Sequence, residues 1–448
     1  MTKLPSWTAA PLNGTGVLER PVPSGVTGVQ VQAALARVAG VLAGEPEVTL
    51  GPIATITSGV TWTELVDDVN RQFSGVVTAV PGVEVAVAGS TLQLRYDRRM
   101  VDDGYAERIG GYLERALAAM RSHPHRRVDE FDLLSEEERH HLLHERGGAA
   151  RALPAERFHE LFARRAAARP ADIAIVHSGR SYSYGWLNAA ANRVAHALLA
   201  HHVRAEEVVM TATERTPQWL AAIIGIFKAG CAYLPAEPDY PAARLSTMRE
   251  QSGCRIVLTE GAIGAEFAAA LAEPGVLALS LDDLSFYPDG DPAIAVGLDQ
   301  LAYIYFTSGS TGRPKGAMCT HHGMINHLVA KVADLEIDDT SVVVQNAQQT
   351  FDISLWQLIA PLLVGGRTLI VPREDIFDVR RFLATVRSGG ATVVQVVPSY
   401  LDVLLRVADE EIEFGGVRYV CATGEALSKN LVNRWFARYP EIKLVNAY

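Results

Sequence analysis

Hydrophobic and polar positions follow two different patterns in the first part of the chain. Leu92, Leu94 and Tyr96 alternate with polar residues, which predicts a strand with one buried face. Between Ala106 and Met120 the apolar residues instead recur three and four positions apart, which predicts an amphipathic helix. Few other patterns stand out before this point, so we expect a small α/β domain here.

The second part of the chain alternates short β-rich runs with helical segments. It follows a glycine- and alanine-rich stretch at residues 147–150, which is typical of a linker. Thr216 and Pro217 are residue types that begin a helix, and Gly230 is the type that ends one. The alternation predicts an α/β fold with mixed, largely parallel sheets flanked by helices, whose ligands bind beyond the carboxyl ends of the strands. The predicted strands cover residues 208–211, 255–259, 302–306, 368–371, 392–397, 417–422 and 443–445.

Composition excludes several classes of function. The 448 residues have room for roughly three domain-sized units, and 48% of them are hydrophobic, enough for a sizeable core. A net charge of -10 argues against a nucleic-acid partner. The four cysteines lack metal-ligand spacing, which suits a reducing compartment. With no signal-peptide pattern at the start and no apolar run of membrane-spanning length, we expect a cytoplasmic protein with no membrane partner.

Three pairs of adjacent histidines invite catalytic or metal-binding interpretations. His140-His141 lies in a charged helix and His201-His202 at a predicted helix end, so both pairs are expected at the surface. His321-His322 follows Thr320 at a predicted helix start, where the helix N-terminus could support an anion site.

A hydroxyl- and glycine-rich loop at residues 305–316 is the most informative segment. Glycines let the backbone approach an anion closely, and backbone N–H groups and hydroxyls donate to phosphate oxygens. The segment is not a Walker A loop, because no Gly-Lys-Ser/Thr triplet ends it. Surface turns use the same residue types, but ten such residues in a row after a strand favour a phosphate site. The candidate ligands are Thr307, Ser308, Gly309, Ser310, Thr311, Gly312 and Lys315.

With this loop, four further segments resemble, in order, the core motifs of adenylation domains of nonribosomal peptide synthetases, in the adenylate-forming superfamily. Residues 181–188 are similar to the first motif and residues 227–244 to the second, although Glu237 stands where the family has aspartate. The loop is the third motif, Phe351–Ser354 the fourth, and Asn446–Tyr448 begins the fifth. The resemblance covers residues 153–448 and implies the large N-terminal core of such an enzyme.

The resemblance implies that ATP activates a free amino acid as its aminoacyl-adenylate. An amino acid's carboxylate is already ionised at neutral pH, so its attack on ATP needs no general base. The enzyme has to hold two anions together and neutralise the charge of the leaving pyrophosphate. The resemblance implies that the loop holds the β- and γ-phosphates with Mg²⁺ nearby, with Thr307 and Lys315 as catalytic residues. Gly424, Glu425, Asn446, Ala447 and Tyr448 correspond to the adenine side.

The substrate's ammonium group needs a counter-charge, and Asp352 is the candidate. It lies in the otherwise apolar run 350–356, so we expect a buried carboxylate that requires a partner. Taken alone, such an aspartate is more often a helix cap or a structural partner; its place in the fourth motif favours the amino-group role. No second acid is visible to pair with a basic side chain, so a substrate with an amide, hydroxyl or carboxyl side chain is favoured. Gln395 could equally be a satisfied core residue. The specificity residues matched by position are Asp352, Ile353, Trp356, Gln395, Cys421, Thr423 and Ala447.

Both ends of the chain depart from the family pattern. Residues 1–130 resemble the tail of a condensation domain but contain no His-His-x-x-x-Asp-Gly sequence, so we expect a structural remnant without peptide-bond-forming activity. Residues 131–152 are predicted to be a linker and 153–448 the adenylation core. The fifth motif stops at Tyr448, before the ribose-binding aspartate and the lid with its catalytic lysine, so this chain is expected to be incomplete and poorly active alone.

Two alternatives remain open at this stage. An acyl- or aryl-CoA ligase of the same superfamily would use no ammonium group, so Asp352 distinguishes it from an amino-acid-activating enzyme. A truncated, non-catalytic interaction module is the other alternative. The partners that the resemblance implies are a carrier protein bearing phosphopantetheine and further synthetase modules, and it leaves open whether an MbtH-like helper protein is needed.

Overall fold

The computed structural model of the chain divides into two compact units, Met1–Arg151 and Ala152–Tyr448. It describes residues 12–22, 24–43, 47–50, 54–57, 59–72, 78–80, 82–146, 150–261, 268, 271–272, 274–307, 314–407 and 414–447.

The first unit is a small α/β domain built on an antiparallel sheet. Its strands are β1 (Thr15–Pro21), β2 (Glu47–Leu50), β3 (Ala54–Thr57), β4 (Thr78–Val80), β5 (Val83–Ala88) and β6 (Thr91–Asp97). Its helices are α1 (Gly28–Ala43), α2 (Trp62–Gln72), α3 (Asp103–Ser122) and α4 (Glu136–His140). The main sheet has the order β1-β6-β5-β4, and β2 pairs with β3 separately.

Local patterns explain the central elements of this unit. Leu92, Leu94 and Tyr96 of β6 are buried, as their alternation predicts. In α3 the buried residues include Ile109 and Leu113, and the Asp102 carboxylate accepts a hydrogen bond from the Tyr105 amide at the helix start. The predicted strand and helix are therefore both confirmed.

Part of the segment assigned to a linker packs on this first unit. Leu133 is buried in its core, and the Ser135 side chain caps α4 by accepting from the Glu138 amide. The Tyr112 hydroxyl donates to a carboxylate oxygen of Glu138 at 2.5 Å. Burial of Leu133 and this hydrogen bond fix residues 131–138 on the first unit. The sequence analysis assigns these residues to the linker.

The second unit contains the alternating strands and helices that the sequence predicts. Its strands are β7 (Ile173–His177), β8 (Arg180–Ser183), β9 (Val208–Ala212), β10 (Ala232–Ala236), β11 (Ile256–Thr259), β12 (Leu277–Ser280), β13 (Leu301–Thr307), β14 (Lys315–Thr320), β15 (Val342–Gln345), β16 (Arg367–Ile370), β17 (Val393–Val396), β18 (Tyr419–Ala422) and β19 (Lys443–Asn446). Its helices include α5 (Phe158–Ala168), α6 (Tyr184–Ala200), α7 (Pro217–Lys228), α8 (Ala242–Ser252), α9 (His321–Asp334), α10 (Ile353–Val364), α11 (Arg373–Phe377), α12 (Val379–Ser388), α13 (Pro398–Val407) and α14 (Lys429–Arg438).

These strands form two sheets that are largely parallel. One has six strands in the order β12-β11-β9-β10-β13-β14, and only its edge pair β13–β14 is antiparallel. The other has seven strands in the order β19-β18-β17-β15-β16-β7-β8, with the antiparallel pair β7–β8 at its edge. The predicted fold class, α/β with mixed and largely parallel sheets flanked by helices, is confirmed.

One continuous core joins the two sheets through helices between them. It contains Val209 and Tyr233 of the six-stranded sheet, Val343 and Ile370 of the seven-stranded sheet, and Trp219 of α7. Helices α6 and α7 approach so closely that a Cβ atom on Gly225 would lie 2.5 Å from the Cβ of Val194. The shared core fixes the carboxyl ends of both sheets relative to each other, which determines where a cleft can form.

Local sequence also sets the start and end of α7. The Thr216 hydroxyl accepts from the Trp219 amide, Pro217 occupies the first helical turn, and Gly230 follows the helix with a φ of 73°. These are the residues from which the sequence predicts the helix boundaries. Within the described residues, no helix combines the length and apolar character that crossing a membrane requires.

Candidate active site

A cleft of about 380 Å³ opens at the carboxyl ends of the seven-stranded sheet. Its walls come from the residues that follow β15, β17 and β18, which are neighbouring parallel strands. Ligands in such sheets bind at these ends, because successive loops converge there. The predicted site residues that line the cleft are Ile353, Gln395, Thr423, Gly424 and Glu425.

Gln395, near the end of β17, presents an amide to this cleft. The residue is 4% exposed, and its side-chain oxygen has no hydrogen-bond partner among the described residues. A buried amide oxygen without a partner costs free energy, so this group favours a ligand that can pair with it. This oxygen argues against the alternative of a fully satisfied core residue.

The residues after β18 and β19 are held together at the other side of the cleft. The Thr423 hydroxyl donates to the Ala447 carbonyl oxygen at 2.9 Å, and the Ala447 amide donates to the Ala422 carbonyl oxygen at 2.8 Å. Gly424 has a φ of 78°, a left-handed conformation that favours glycine. Of the adenine-side candidates, Asn446 ends β19 beside Ala422, whereas Tyr448 lies outside the described residues.

Glu425 is already engaged within the protein. Its carboxylate accepts from the amide and from the hydroxyl of Ser399, each at 2.9 Å. Ser399 lies in the first turn of α13, where a carboxylate is favoured by the exposed amide groups. This pairing makes Glu425 a cap for α13 that also forms part of the cleft wall.

The loop after β15 is positioned by a buried glutamine that the sequence analysis missed. The Gln357 carbonyl oxygen accepts from the amides of Asn346 and Ala347, at 3.2 and 3.0 Å, and its amide nitrogen donates to the Asn346 side chain. Arg215, which follows β9, donates to the carbonyl oxygens of the same two residues at 3.1 and 2.9 Å. The loop that lines the cleft is therefore held by α10 on one side and by the segment that follows β9 on the other.

Glu237 adds a second connection between the sheets. Its carboxylate accepts from the Gln349 amide at 3.1 Å, and the Gln349 side chain donates to the Thr213 carbonyl oxygen at 2.8 Å. Burial raises the pKa of Glu237, and the positive charge of Arg215 opposes that increase. Glu237, which departs from the family pattern, is thus a buried structural residue that binds the Gln349 amide. The only indication of this role in the sequence is that departure.

Asp352 is exposed, so the prediction of a buried carboxylate was wrong. It is the residue before α10, and only the residues that follow it enter the core. Its side chain makes no capping hydrogen bond, and among the described residues it has no ion-pair partner. Burial is the main cause that raises the pKa values of Tyr303 and Tyr305 on β13, and the charge of Asp352 adds to it, so the carboxylate lies within electrostatic range of that strand. Asp352 is thus an exposed anion at the start of α10, without an ion-pair partner among the described residues.

Two other specificity candidates lie deeper than the cleft surface. Trp356 is 2% exposed, and Cys421 is fully buried. Burial raises the pKa of the Cys421 thiol to about 11, so it is neutral near pH 7. The ammonium group of Lys331, on α9, lies 5.2 Å from the centre of the Trp356 ring. This lysine was not among the residues that the sequence analysis selected.

The candidate phosphate loop connects β13 to β14 as a hairpin. Thr307 pairs with Lys315 in the antiparallel register, and the Thr307 hydroxyl donates to the Lys315 carbonyl oxygen at 3.4 Å. Both residues are exposed, Lys315 on the edge strand β14 and Thr307 on the neighbouring strand β13. The other candidates in the loop, Ser308, Gly309, Ser310, Thr311 and Gly312, lie outside the described residues.

Replacing Gln357 with leucine is expected to lower the free energy of unfolding of the second unit by about 2–4 kcal/mol. Leucine has a similar volume but leaves the Asn346 and Ala347 amides without their acceptor, and each unpaired buried donor costs about 1–3 kcal/mol. Urea unfolding followed by tryptophan fluorescence measures the change. Gln251→Leu, at an exposed position on α8, is the control. Equal midpoints for the two variants would contradict the role assigned to Gln357.

Comparisons with known proteins agree with this architecture. The family described as AMP-binding enzyme matches residues 162–448. Gramicidin S synthase 2 of Brevibacillus brevis is 30% identical over 361 residues, which is 80% of this chain and 8% of that protein. The dimodular nonribosomal peptide synthase of Bacillus subtilis (strain 168) is 30% identical over 371 residues, 79% of this chain and 16% of that protein. The crystal structure of the nonribosomal peptide synthetase FmoA3 with bound AMPPNP has a similar fold, with a TM-score of 0.69 and 20% identity over 99% of this chain and 58% of that one.

The chain therefore belongs to the AMP-binding enzyme family, and its sequence relatives are nonribosomal peptide synthetases. This confirms the resemblance that the ordered motifs indicated. The chain spans less than a fifth of the length of the two relatives named above.

Proposed function

We propose that this chain uses ATP to activate the carboxylate of a free amino acid, as part of nonribosomal peptide synthesis. The observation that carries the proposal is the exposed Asp352 carboxylate at the start of α10, which has no ion-pair partner among the described residues. The α-ammonium group of an amino acid would be the positively charged partner of the Asp352 carboxylate. The similarity to peptide synthetases supports the same substrate class.

The proposed reaction is a displacement at the α-phosphorus of ATP. An oxygen of the substrate carboxylate forms a bond to phosphorus while the bond to the pyrophosphate oxygen breaks, which gives aminoacyl-adenylate and pyrophosphate. No proton has to move, because the attacking carboxylate is already ionised. The protein contributes by positioning the two anions and by offsetting their charge.

Thr307 and Lys315 would act on the phosphate side. They flank the hairpin loop at exposed positions, so the Lys315 ammonium group is available to phosphate oxygens, and the Thr307 hydroxyl can exchange its contact with the Lys315 carbonyl oxygen for one with phosphate. The described residues contain no group of three or more His, Cys, Asp or Glu that could hold a metal ion. We propose that Mg²⁺ enters with ATP, since it is usually bound through substrate phosphates and supplies charge neutralisation there.

The proposed product is the aminoacyl-adenylate that a carrier protein's phosphopantetheine thiol then attacks. Other synthetase modules, and a helper protein of the MbtH type, are further proposed partners. We also propose that the first unit is a condensation-domain-like platform. Its small antiparallel sheet and the helix α3 give it a core of its own.

The proposal is tested by single-turnover release of pyrophosphate from ATP, with enzyme in excess and each of the twenty amino acids in turn. One turnover per site is sufficient, so a slow enzyme still gives a signal. We expect release that depends on one amino acid or a few. Release that depends on a fatty or aryl acid would instead support an acyl- or aryl-CoA ligase. No release with any acid would support a non-catalytic module.

Replacing Lys315 with glutamine is expected to lower this rate about tenfold at limiting ATP. The variant loses a charge-assisted hydrogen bond to phosphate, and such bonds are about twice as strong as neutral ones. Lys429→Gln, at an exposed position at the start of α14, controls for the loss of one positive charge. If both variants keep the wild-type rate, Lys315 does not bind phosphate.

A further inference from the structure

A half-buried lysine lies beside two of the residues predicted to determine specificity. Lys331 is on α9, and its Nζ atom lies 5.2 Å from the centre of the buried Trp356 ring. Within the part of the chain that the structure describes, it has no carboxylate at ion-pair distance. A partly desolvated ammonium group is stabilised by an aromatic face but remains available to an anion.

Lys331 and Asp352 both lie within electrostatic range of His327. Both charges act on His327, one turn earlier on α9: burial lowers the pKa of His327 first, Lys331 lowers it further, and Asp352 raises it. The charge of Lys331 also acts on the Cys421 thiol, which ends in the same core as Trp356. Trp356 therefore contacts the ammonium group, and His327 and Cys421 lie within its electrostatic range. Cys421 pairs in parallel register with Gln395, which lines the cleft.

Among the described residues, Asp352 and Lys331 are thus two charges of opposite sign that have no ion-pair partner and that both act on His327. Asp352 matches the α-ammonium group that every amino acid carries. Lys331 is a second and separate charge, and it lies beside Trp356 and within electrostatic range of Cys421, two positions matched to substrate specificity. A basic side chain would meet repulsion there, and an apolar side chain would leave the ammonium group without an anion.

Gln395 provides an independent sign that this region accepts a polar group. It lines the cleft, is 4% exposed, and carries an amide oxygen without a partner among the described residues. The oxygen and nitrogen of an amide exchange places when the group rotates by half a turn, and in that orientation the N–H₂ group occupies the unpartnered position and donates to a carboxylate oxygen. A lysine and an amide donor together form the type of site that binds a carboxylate.

We propose that Lys331 recognises a side-chain carboxylate of the substrate, so that the amino acid activated is of the aspartate or glutamate class. The inference rests on the proposed function and adds the identity of the side chain. The sequence favours a substrate with an amide, hydroxyl or carboxyl side chain, and this inference selects the carboxyl side chain.

The test uses unreactive adenylate mimics, in which a sulfamoyl group joins the aminoacyl part to adenosine. Calorimetry gives the dissociation constants of the glutamyl, glutaminyl, aspartyl, asparaginyl and leucyl compounds, and of AMP. We expect an acidic compound to bind at least about tenfold more tightly than its amide counterpart. Lys331→Gln is expected to remove that preference, and Lys331→Arg, which keeps the charge, to retain most of it.

The controls separate the two proposals. AMP should bind Lys331→Gln and the wild type equally, which shows that the variant is folded. Lys429→Gln should keep the acidic preference, because that lysine is exposed on α14. Tight binding of a neutral aminoacyl compound that is unchanged in Lys331→Gln would overturn the role of Lys331 and leave amino-acid activation standing. If no aminoacyl compound binds better than AMP, amino-acid activation itself fails.

Discussion

Replacing Asp352 with asparagine is expected to weaken the binding of aminoacyl-adenylate mimics by roughly 10- to 150-fold. The asparagine side chain has nearly the same shape but cannot form a charge-assisted hydrogen bond to ammonium, and such bonds contribute about 1.5–3 kcal/mol. AMP carries no ammonium group, so its affinity should not change. Calorimetric titration of both ligands into wild type and variant measures the difference.

Because Asp352 is exposed, replacing it should not disturb the packing of the protein. The side chain has no partner among the described residues, so asparagine should leave the free energy of unfolding nearly unchanged. Asp339→Asn, at an exposed position before β15, is the matched control and should bind both ligands as the wild type does. An Asp352→Asn variant that keeps the wild-type affinity for aminoacyl compounds would show that the ammonium group binds elsewhere.

Acidification from pH 7 to pH 5 is expected to destabilise the second unit through two buried histidines. His159 on α5 and His321 at the start of α9 are 4% and 0% exposed, and their ring centres are 5.6 Å apart. None of their ring nitrogens has a hydrogen-bond partner among the described residues. Burial lowers the pKa of His159 to about 3 and that of His321 to about 4.

The direction of the pH effect follows from these lowered pKa values. In the unfolded chain both histidines titrate near pH 6.5, so between pH 6.5 and about 4 the unfolded state binds protons that the folded state does not. Stability is therefore fully present above pH 6.5 and is lost as the pH falls. Between pH 7 and pH 5 the loss is about 2 kcal/mol for each histidine.

Urea unfolding at several pH values, followed by tryptophan fluorescence, measures this dependence. Replacing His321 with phenylalanine removes one titrating group in a site where Phe227 already packs at 5.5 Å, so the loss between pH 7 and pH 5 should become about 2 kcal/mol smaller. His202→Gln, at an exposed position, should keep the wild-type dependence. If His321→Phe also keeps it, the buried histidine is not responsible.

These histidines also show what sequence patterns leave unresolved. Thr320 does cap the helix that begins at His321, as the sequence predicts, since its hydroxyl accepts from the Gly323 amide. The neighbouring positions nevertheless differ: His321 is packed against Phe227 and His159, and His322 is exposed. A helix start is a local property, whereas burial depends on which distant residues pack there.

The strands and the site show the same difference between what local patterns predict and what long-range contacts decide. Short runs of β-branched residues identified β9, β11, β13 and β16 to β19, because a buried parallel strand is apolar along its whole length. The sequence analysis did not select β15, although the loop that follows β15 forms one wall of the cleft. Order within the sheets depends on long-range pairing and could not be derived from local pattern.

Residues that contact each other across the chain were the hardest to predict. Arg215, Glu237 and Gln357 hold the cleft loop, yet more than one hundred positions separate the first two from their partners in that loop. The burial of Asp352 was predicted wrongly for a related reason. Its neighbours in sequence are apolar, but Phe351 is itself exposed and the buried run begins only at Ser354 within α10, so the aspartate stays at the surface.

The central claim is that Asp352 binds the ammonium group of an amino acid beside the ATP site. The most direct test is to titrate the unmodified chain with two sulfamoyl-adenosine compounds that differ only in the α-amino group. One is the aminoacyl compound that binds most tightly, and the other is its des-amino counterpart. We predict that the aminoacyl compound binds roughly 10- to 150-fold more tightly. Equal affinities, or tighter binding of the des-amino compound, would contradict the claim and favour an acyl-activating enzyme.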